Sequence, residues 1–91
     1  MEVVLRVPHI RKGSVQVRFE ILEYLYYQAR PQLRTHIWRR ATSLSYDDFL
    51  KHLKYLEDRG LIEEREAGYY KLTKKGREIY DKLREALPTI F

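Results

Sequence analysis

No cysteine occurs among the 91 residues, so neither a disulfide framework nor a thiolate zinc site can hold the chain together. No apolar stretch approaches the roughly 20 residues that cross a bilayer, which excludes a membrane-spanning helix. Asparagine is absent and methionine occurs once. Scarcity of thermolabile residues beside abundant Arg, Lys and Glu is a pattern of hyperthermophile proteins, so a thermophile source is expected. The opening Met1-Glu2-Val3-Val4-Leu5-Arg6 lacks the basic start, long apolar run and cleavage site of a secretory leader. The expectation is a cytoplasmic protein.

Chemical machinery is missing too. No nucleophile–base arrangement, glycine-rich phosphate loop or paired catalytic carboxylate stands in the sequence, so neither an enzyme nor a cofactor is expected. His9, His36 and His52 have no ligand-like spacing and no acidic partner in register, which argues against a metal site. No small-molecule ligand is evident.

What is present is a chain of one-domain length, 44% hydrophobic and 34% charged, as in ordinary globular proteins. Its net charge of +5 favours a polyanionic partner. Residues 1 to 46 hold eight Arg or Lys against three acids, whereas residues 47 to 91 hold ten of each. The positive field therefore belongs to the first half.

Val3, Leu5 and Val7 alternate with Val4 and Arg6 and are stopped by Pro8, which reads as a short strand or arm within residues 1 to 13. Ser14 is a plausible cap for a first helix over about 15 to 29, with Val15, Phe19, Leu22, Tyr26 and Ala29 inward, Ile21 and Leu25 widening that stripe, and Pro31 as its end. Arg34 to Ala41 suits a short second helix, with Ile37, Trp38 and Ala41 facing inward. Thr42-Ser43-Leu44-Ser45 turns the chain, and Ser45 followed by Asp48 opens a third helix in capping-box fashion. Phe49, Leu53 and Leu56 form the stripe of that helix, and Gly60 marks its stop. Leu61 to Arg65 and Tyr69 to Leu72 read as a tight hairpin, turning at Glu66-Ala67-Gly68. Thr73 then caps a fourth helix over about 73 to 87, which Pro88 is expected to end.

Helix, short helix, turn, longer amphipathic helix and hairpin, in that order, predict a mainly α fold with a small β-hairpin, an α+β winged helix-turn-helix over residues 14 to 91. The segment Arg34 to Leu83 also resembles the small archaeal winged-helix DNA-binding proteins, the Sulfolobus chromatin-associated type with its viral and plasmid relatives. Thr35, Ile37, Leu44-Ser45-Tyr46, Leu53, Leu56, Gly60-Leu61-Ile62, Leu72-Thr73 and Lys75-Gly76 carry the likeness. The resemblance implies a homodimer on double-stranded DNA, nucleoid-associated or in a host cytoplasm, often joined through the last helix. Here that helix has only about two heptads before Pro88, so Val3 to Val7 or the apolar end Leu87-Pro88-Thr89-Ile90-Phe91 is the expected subunit contact.

In such a fold the third helix enters the major groove and the second crosses the backbone. Lys51, Lys54 and Tyr55 lie away from the apolar stripe, where lysine can reach guanine or phosphate and the tyrosine hydroxyl a phosphate; plain solvent exposure is the competing reading. Arg34, Thr35, Arg39 and Arg40 are phosphate candidates in the second helix, with Arg11 and Lys12 nearby. Tyr46 either touches DNA or packs on the neighbouring helix. Asp47 and Asp48 repel phosphate and are better explained by capping and the helix dipole. Among Glu63, Glu64 and Glu66, Arg65 and Lys71 are the cations by which the wing can touch phosphate. Tyrosines and Trp38 suit packing better than base stacking. The rival function is a winged-helix protein–protein adaptor, with the acidic wing facing its partner.

Overall fold

The structure, a computed structural model, describes residues 13–90, with the side chains of 13–86. The expected strand at Val3 to Val7, the pair Arg11 and Lys12, and the side chains from Leu87 to Phe91 lie outside the described residues. The elements run α1 (Ser14–Tyr26), β1 (Gln32–Leu33), α2 (Arg34–Ala41), α3 (Tyr46–Asp58), β2 (Ile62–Glu66), β3 (Tyr69–Leu72) and α4 (Lys74–Ile90). The sheet is antiparallel with order β1-β3-β2.

The core gathers one or more apolar side chains from every helix and from both hairpin strands: Val17, Ile21, Leu22 and Leu25 of α1, Ile37 of α2, Phe49, Leu53 and Leu56 of α3, Ile62, Tyr70 and Leu72 of the hairpin, and Tyr80 of α4. No charged residue is buried among the described residues. Tyr80 is fully buried, stacks on Phe19 at 5.2 Å and donates its hydroxyl to Glu23 Oε2 at 3.1 Å, tying α4 to α1. Burial first, then hydrogen bonding with Tyr27 and Glu23, raises the Tyr80 phenol above its usual range, so it stays protonated.

Three expectations for the helix ends change. Ser14 is the first residue of α1 rather than its cap; Gly13 takes the cap position with no side-chain bond. That helix stops at Tyr26, and Val15 is 72% exposed while Ala29 lies beyond the helix and is exposed. The buried arc of α1 is wide, because the helix packs on several elements at once and covers Val17, Phe19, Ile21, Leu22 and Leu25; Val15 falls within that arc but stands in the first turn, where it is left exposed. Pro31 fixes its own φ and restricts Arg30 before it but does not set where the helix stops at Tyr26, and residues 27 to 31 instead turn the chain so that Gln32 and Leu33 pair with Tyr70 and Tyr69. This third strand was not expected, because two residues cannot display an alternation. Finally, α4 continues past Pro88 to Ile90. So near a helix end the proline removes one ladder donor, and the freed Arg84 carbonyl belongs to an exposed residue that water can reach.

The junction between α3, the hairpin and α4 is the tightest part of the fold. Leu61 N–H donates to Leu56 O and Gly60 N–H to Glu57 O, both at 3.0 Å, with Gly60 at φ 75°, which closes α3 in a Schellman motif. Thr73 then serves both sides: its hydroxyl donates to Gly60 O at 2.6 Å and accepts from Gly76 N–H at 3.0 Å, as the cap of α4. Thr73 N–H donates to Leu61 O at 3.1 Å. The Cα of Gly76 lies so close to the Leu61 carbonyl that a Cβ there would overlap its oxygen. By contrast, a Cβ on Gly60 would meet open space and suffer only from its left-handed backbone.

The two glycines therefore separate two kinds of penalty. Gly60→Ala should cost about 1 to 2 kcal/mol, the left-handed term. Gly76→Ala should cost more, above the roughly 1 to 3 kcal/mol of ordinary overpacking, because backbone rather than a side chain must yield. Urea unfolding midpoints of the two variants test the order, and equal losses would contradict the close approach at Leu61.

Candidate nucleic-acid interface

The turn between α2 and α3 is held by named bonds. Thr42 donates its N–H and its hydroxyl to Trp38 O, at 3.3 and 2.8 Å, which ends α2. The indole N–H of Trp38 donates to Leu44 O at 2.8 Å, and its ring meets Tyr46 edge-on at 5.1 Å. Ser45 then caps α3 by accepting from Asp48 N–H at 3.2 Å. Tyr46 also approaches Phe49, with ring centroids 6.0 Å apart. Thus Tyr46 packs on the neighbouring helix, and the turn fixes how α3 is presented.

The outer face of α3 presents Asp47, Lys51, Lys54 and Asp58 to solvent. The side chains of Lys51 and Lys54 are 82% and 76% exposed, and each pairs within the helix, Lys51 with Asp48 at 3.9 Å and Lys54 with Asp58 at 3.5 Å. Such exposed pairs are worth only about 0.3 to 0.5 kcal/mol, so an incoming anion can displace them. Even so, α3 carries two lysines against four acids, Asp47, Asp48, Glu57 and Asp58. Its own formal charge is negative.

The arginines of α2 do not form one cluster. The N–H of Arg34 donates to Gly68 O at 2.8 Å, and its guanidinium turns to the hairpin, 3.4 Å from the Tyr70 hydroxyl and 3.9 Å from Glu64 Oε2. Hydrogen bonding to the Tyr46 and Tyr70 hydroxyls, the former more strongly, raises its already high pKa. Thr35 is half-buried beside it. Arg39 is exposed, and Arg40 borders an open cleft of about 550 Å³ with Glu20, Glu23, Tyr24 and Tyr27 of the α1 region. In the wing, Arg65 sits at the bulge between Glu64 and Glu66 and pairs with Glu63 at 3.4 Å. Lys71 lies across from Glu63.

Tyr55 is half-buried, and what covers it is cationic. The guanidinium carbon of Arg18, from α1, lies 3.5 Å from the ring centroid, and that of Arg59, at the C-cap of α3, lies 4.5 Å from it. Arg18 Nε also donates to His52 Nδ1 at 3.3 Å. Neither arginine has a carboxylate within ion-pair distance among the described residues, unlike Lys51, Lys54, Arg34 and Arg65. The two guanidinium carbons are at most about 8 Å apart, a separation at which like charges repel by about 2 kcal/mol at an effective dielectric of 20 and by about 0.5 in bulk water. Sequence reasoning missed both. Arg18 is an isolated cation on a helix read as core, and only the packing of α1 on α3 brings it to residue 52.

A family model described as winged helix-turn-helix matches residues 11–90 of the chain. No curated protein and no solved structure matches it.

His52 provides a probe of this region. Accepting at Nδ1 requires the neutral ring with its proton on Nε2. Burial, and secondly the Arg18 charge, lower its pKa below the ordinary 6.5. A proton resonance titration should place the midpoint below that value, and Arg18→Gln should raise it only part of the way, since burial persists. The unfolded chain takes up this proton first as pH falls. The contribution of His52 to stability is therefore complete above about pH 6.5 and is lost as pH drops through the folded midpoint. A His52 midpoint above 6.5 would contradict the contact.

Proposed function

Because the chain belongs to the winged helix-turn-helix family, we propose that it binds double-stranded DNA as a transcriptional regulator or architectural protein, with α3 in the major groove. The observation that carries this reading is the outer face of α3, held by the Trp38–Leu44 and Ser45–Asp48 bonds with Lys51 and Lys54 extended into solvent. Lys51 and Lys54 exchange their aspartate partners for guanine or phosphate oxygens. Arg39 and Arg40 hold the sugar-phosphate backbone, Arg34 and Thr35 act where α2 meets the wing, and Arg65 touches phosphate from its bulge. Tyr46 serves by fixing the turn.

The likeness to small archaeal winged-helix proteins supports a homodimer that sets two copies of α3 in successive major grooves. Either Val3 to Val7 or Leu87 to Phe91 supplies the subunit contact. Sedimentation of forms lacking one segment or the other should show monomers for one of the two, and dimers in both would remove the assignment.

Two substitutions separate positioning from sequence readout. Arg39→Ala with Arg40→Ala should weaken binding to all duplexes alike and flatten the salt dependence by up to about 1.8 in the slope of log K against log salt. Lys51→Ala should instead change sequence preference. Fluorescence anisotropy at two salt concentrations measures the first, and selection from random DNA the second. A parent protein that binds no duplex at low salt would favour the adaptor reading, whose partner is another protein.

A further inference from the structure

Resting on that DNA-binding reading, we infer that Arg18 and Arg59, arranged about the ring of Tyr55, form a phosphate clamp beside the recognition helix, and that Tyr55 acts as its platform rather than through its hydroxyl. The clamp supplies what α3 lacks. With two lysines against four acids, the helix repels the backbone it has to approach, and cations from outside it must compensate.

Three observations converge on these two arginines. First, position: His52, Tyr55 and Arg59 follow one another at helical spacing along the α1 side of α3, and Lys51 lies one turn before Tyr55, so the clamp borders the exposed face without a gap. Second, availability: Lys51 and Lys54 of α3, like Arg34 and Arg65, already have carboxylates, while neither Arg18 nor Arg59 has one among the described residues. Third, preorganisation. At 3.5 Å from the ring centroid the Arg18 guanidinium lies against the face of Tyr55, and its Nε is spent on His52, which leaves its terminal N–H groups for an anion. Arg59 is exposed and reaches the same ring from the end of the helix. At about 8 Å or less, both can engage one phosphate, and that anion removes their mutual repulsion.

The groups facing His52 make occupancy readable. They are the Arg18 guanidinium of α1 and Asp48, one turn earlier on α3. A phosphate that neutralises Arg18 relieves one of the two causes that keep the imidazole unprotonated, so His52 takes up protons more readily in the complex.

The experiment is anisotropy with a random 20-base-pair duplex between 50 and 200 mM salt, on the wild-type chain and on Arg18→Gln, Arg59→Gln and Tyr55→Phe. Each lost phosphate contact lowers the salt slope by about 0.9, so each arginine variant should lose about 3.5-fold less affinity than wild type across that interval while binding more weakly at 50 mM. Tyr55→Phe keeps the platform and should match wild type. In resonance titrations the His52 midpoint should rise when the duplex is added to wild type and change less in Arg18→Gln. Arg59 is an exposed cap residue, so its variant tests the clamp even if Arg18→Gln unfolds. Wild-type binding with an unchanged slope in Arg59→Gln and in a folded Arg18→Gln overturns the clamp and leaves the DNA-binding reading standing. A Tyr55→Phe loss equal to that of Arg18→Gln assigns the contact to the hydroxyl and also overturns it. No duplex binding by the wild type would overturn both readings.

Discussion

The close approach of Gly76 to the Leu61 carbonyl governs the arrangement of the whole reading head. Around it, Thr73 bonds to Gly60 and caps α4, Lys75 Nζ donates to the Arg59 carbonyl at 3.0 Å, and the Schellman turn closes α3. The end of one helix, the root of the hairpin and the start of the next helix therefore meet within a few residues. Any side chain at position 76 would force them apart, and the angle between α3 and the wing would change with them. A small domain without disulfides obtains fixed geometry from such crossings, where several backbone groups are satisfied at once.

Much of this junction could be read from the chain. Gly60 as a left-handed stop, Ser45 and Thr73 as caps, and the Phe49, Leu53 and Leu56 stripe are local signals, encoded within one turn of the residues they concern. What could not be read depends on partners distant in sequence. The strand β1 exists only because Tyr69 and Tyr70 lie beside it, and in α1 periodicity finds Phe19, Ile21, Leu22 and Leu25 but does not tell that Val17 is covered while Val15 and Ala29 are not. Proline was over-read twice: Pro31 does not mark the end of α1, nor Pro88 that of α4. The same division holds for the candidate site. Lys51 and Lys54 follow from helical spacing, whereas the Arg18, Tyr55 and Arg59 group requires two helices to pack before its members meet.

Charge is distributed by element in a way that totals conceal. The helix presented to solvent is formally acidic, the hairpin bears Glu63, Glu64 and Glu66, and the surplus of positive charge sits on α2, on α4 and on the segment ahead of α1. Attraction to a polyanion thus comes from elements flanking the helix that would read it. Aspartates at the start of α3 complement the positive helix end and complete its cap, so they strengthen the fold where they oppose an approaching anion.

The wing is not a free flap. Strand β1 runs along its inner edge, and the N–H of Arg34 holds the Gly68 carbonyl at the hairpin turn, so hairpin and second helix share one hydrogen-bonded frame. A frame of that kind has a set span. Whatever surface the domain grips must already possess matching contours or bend to acquire them, and the work of accommodation falls on the partner instead of the protein.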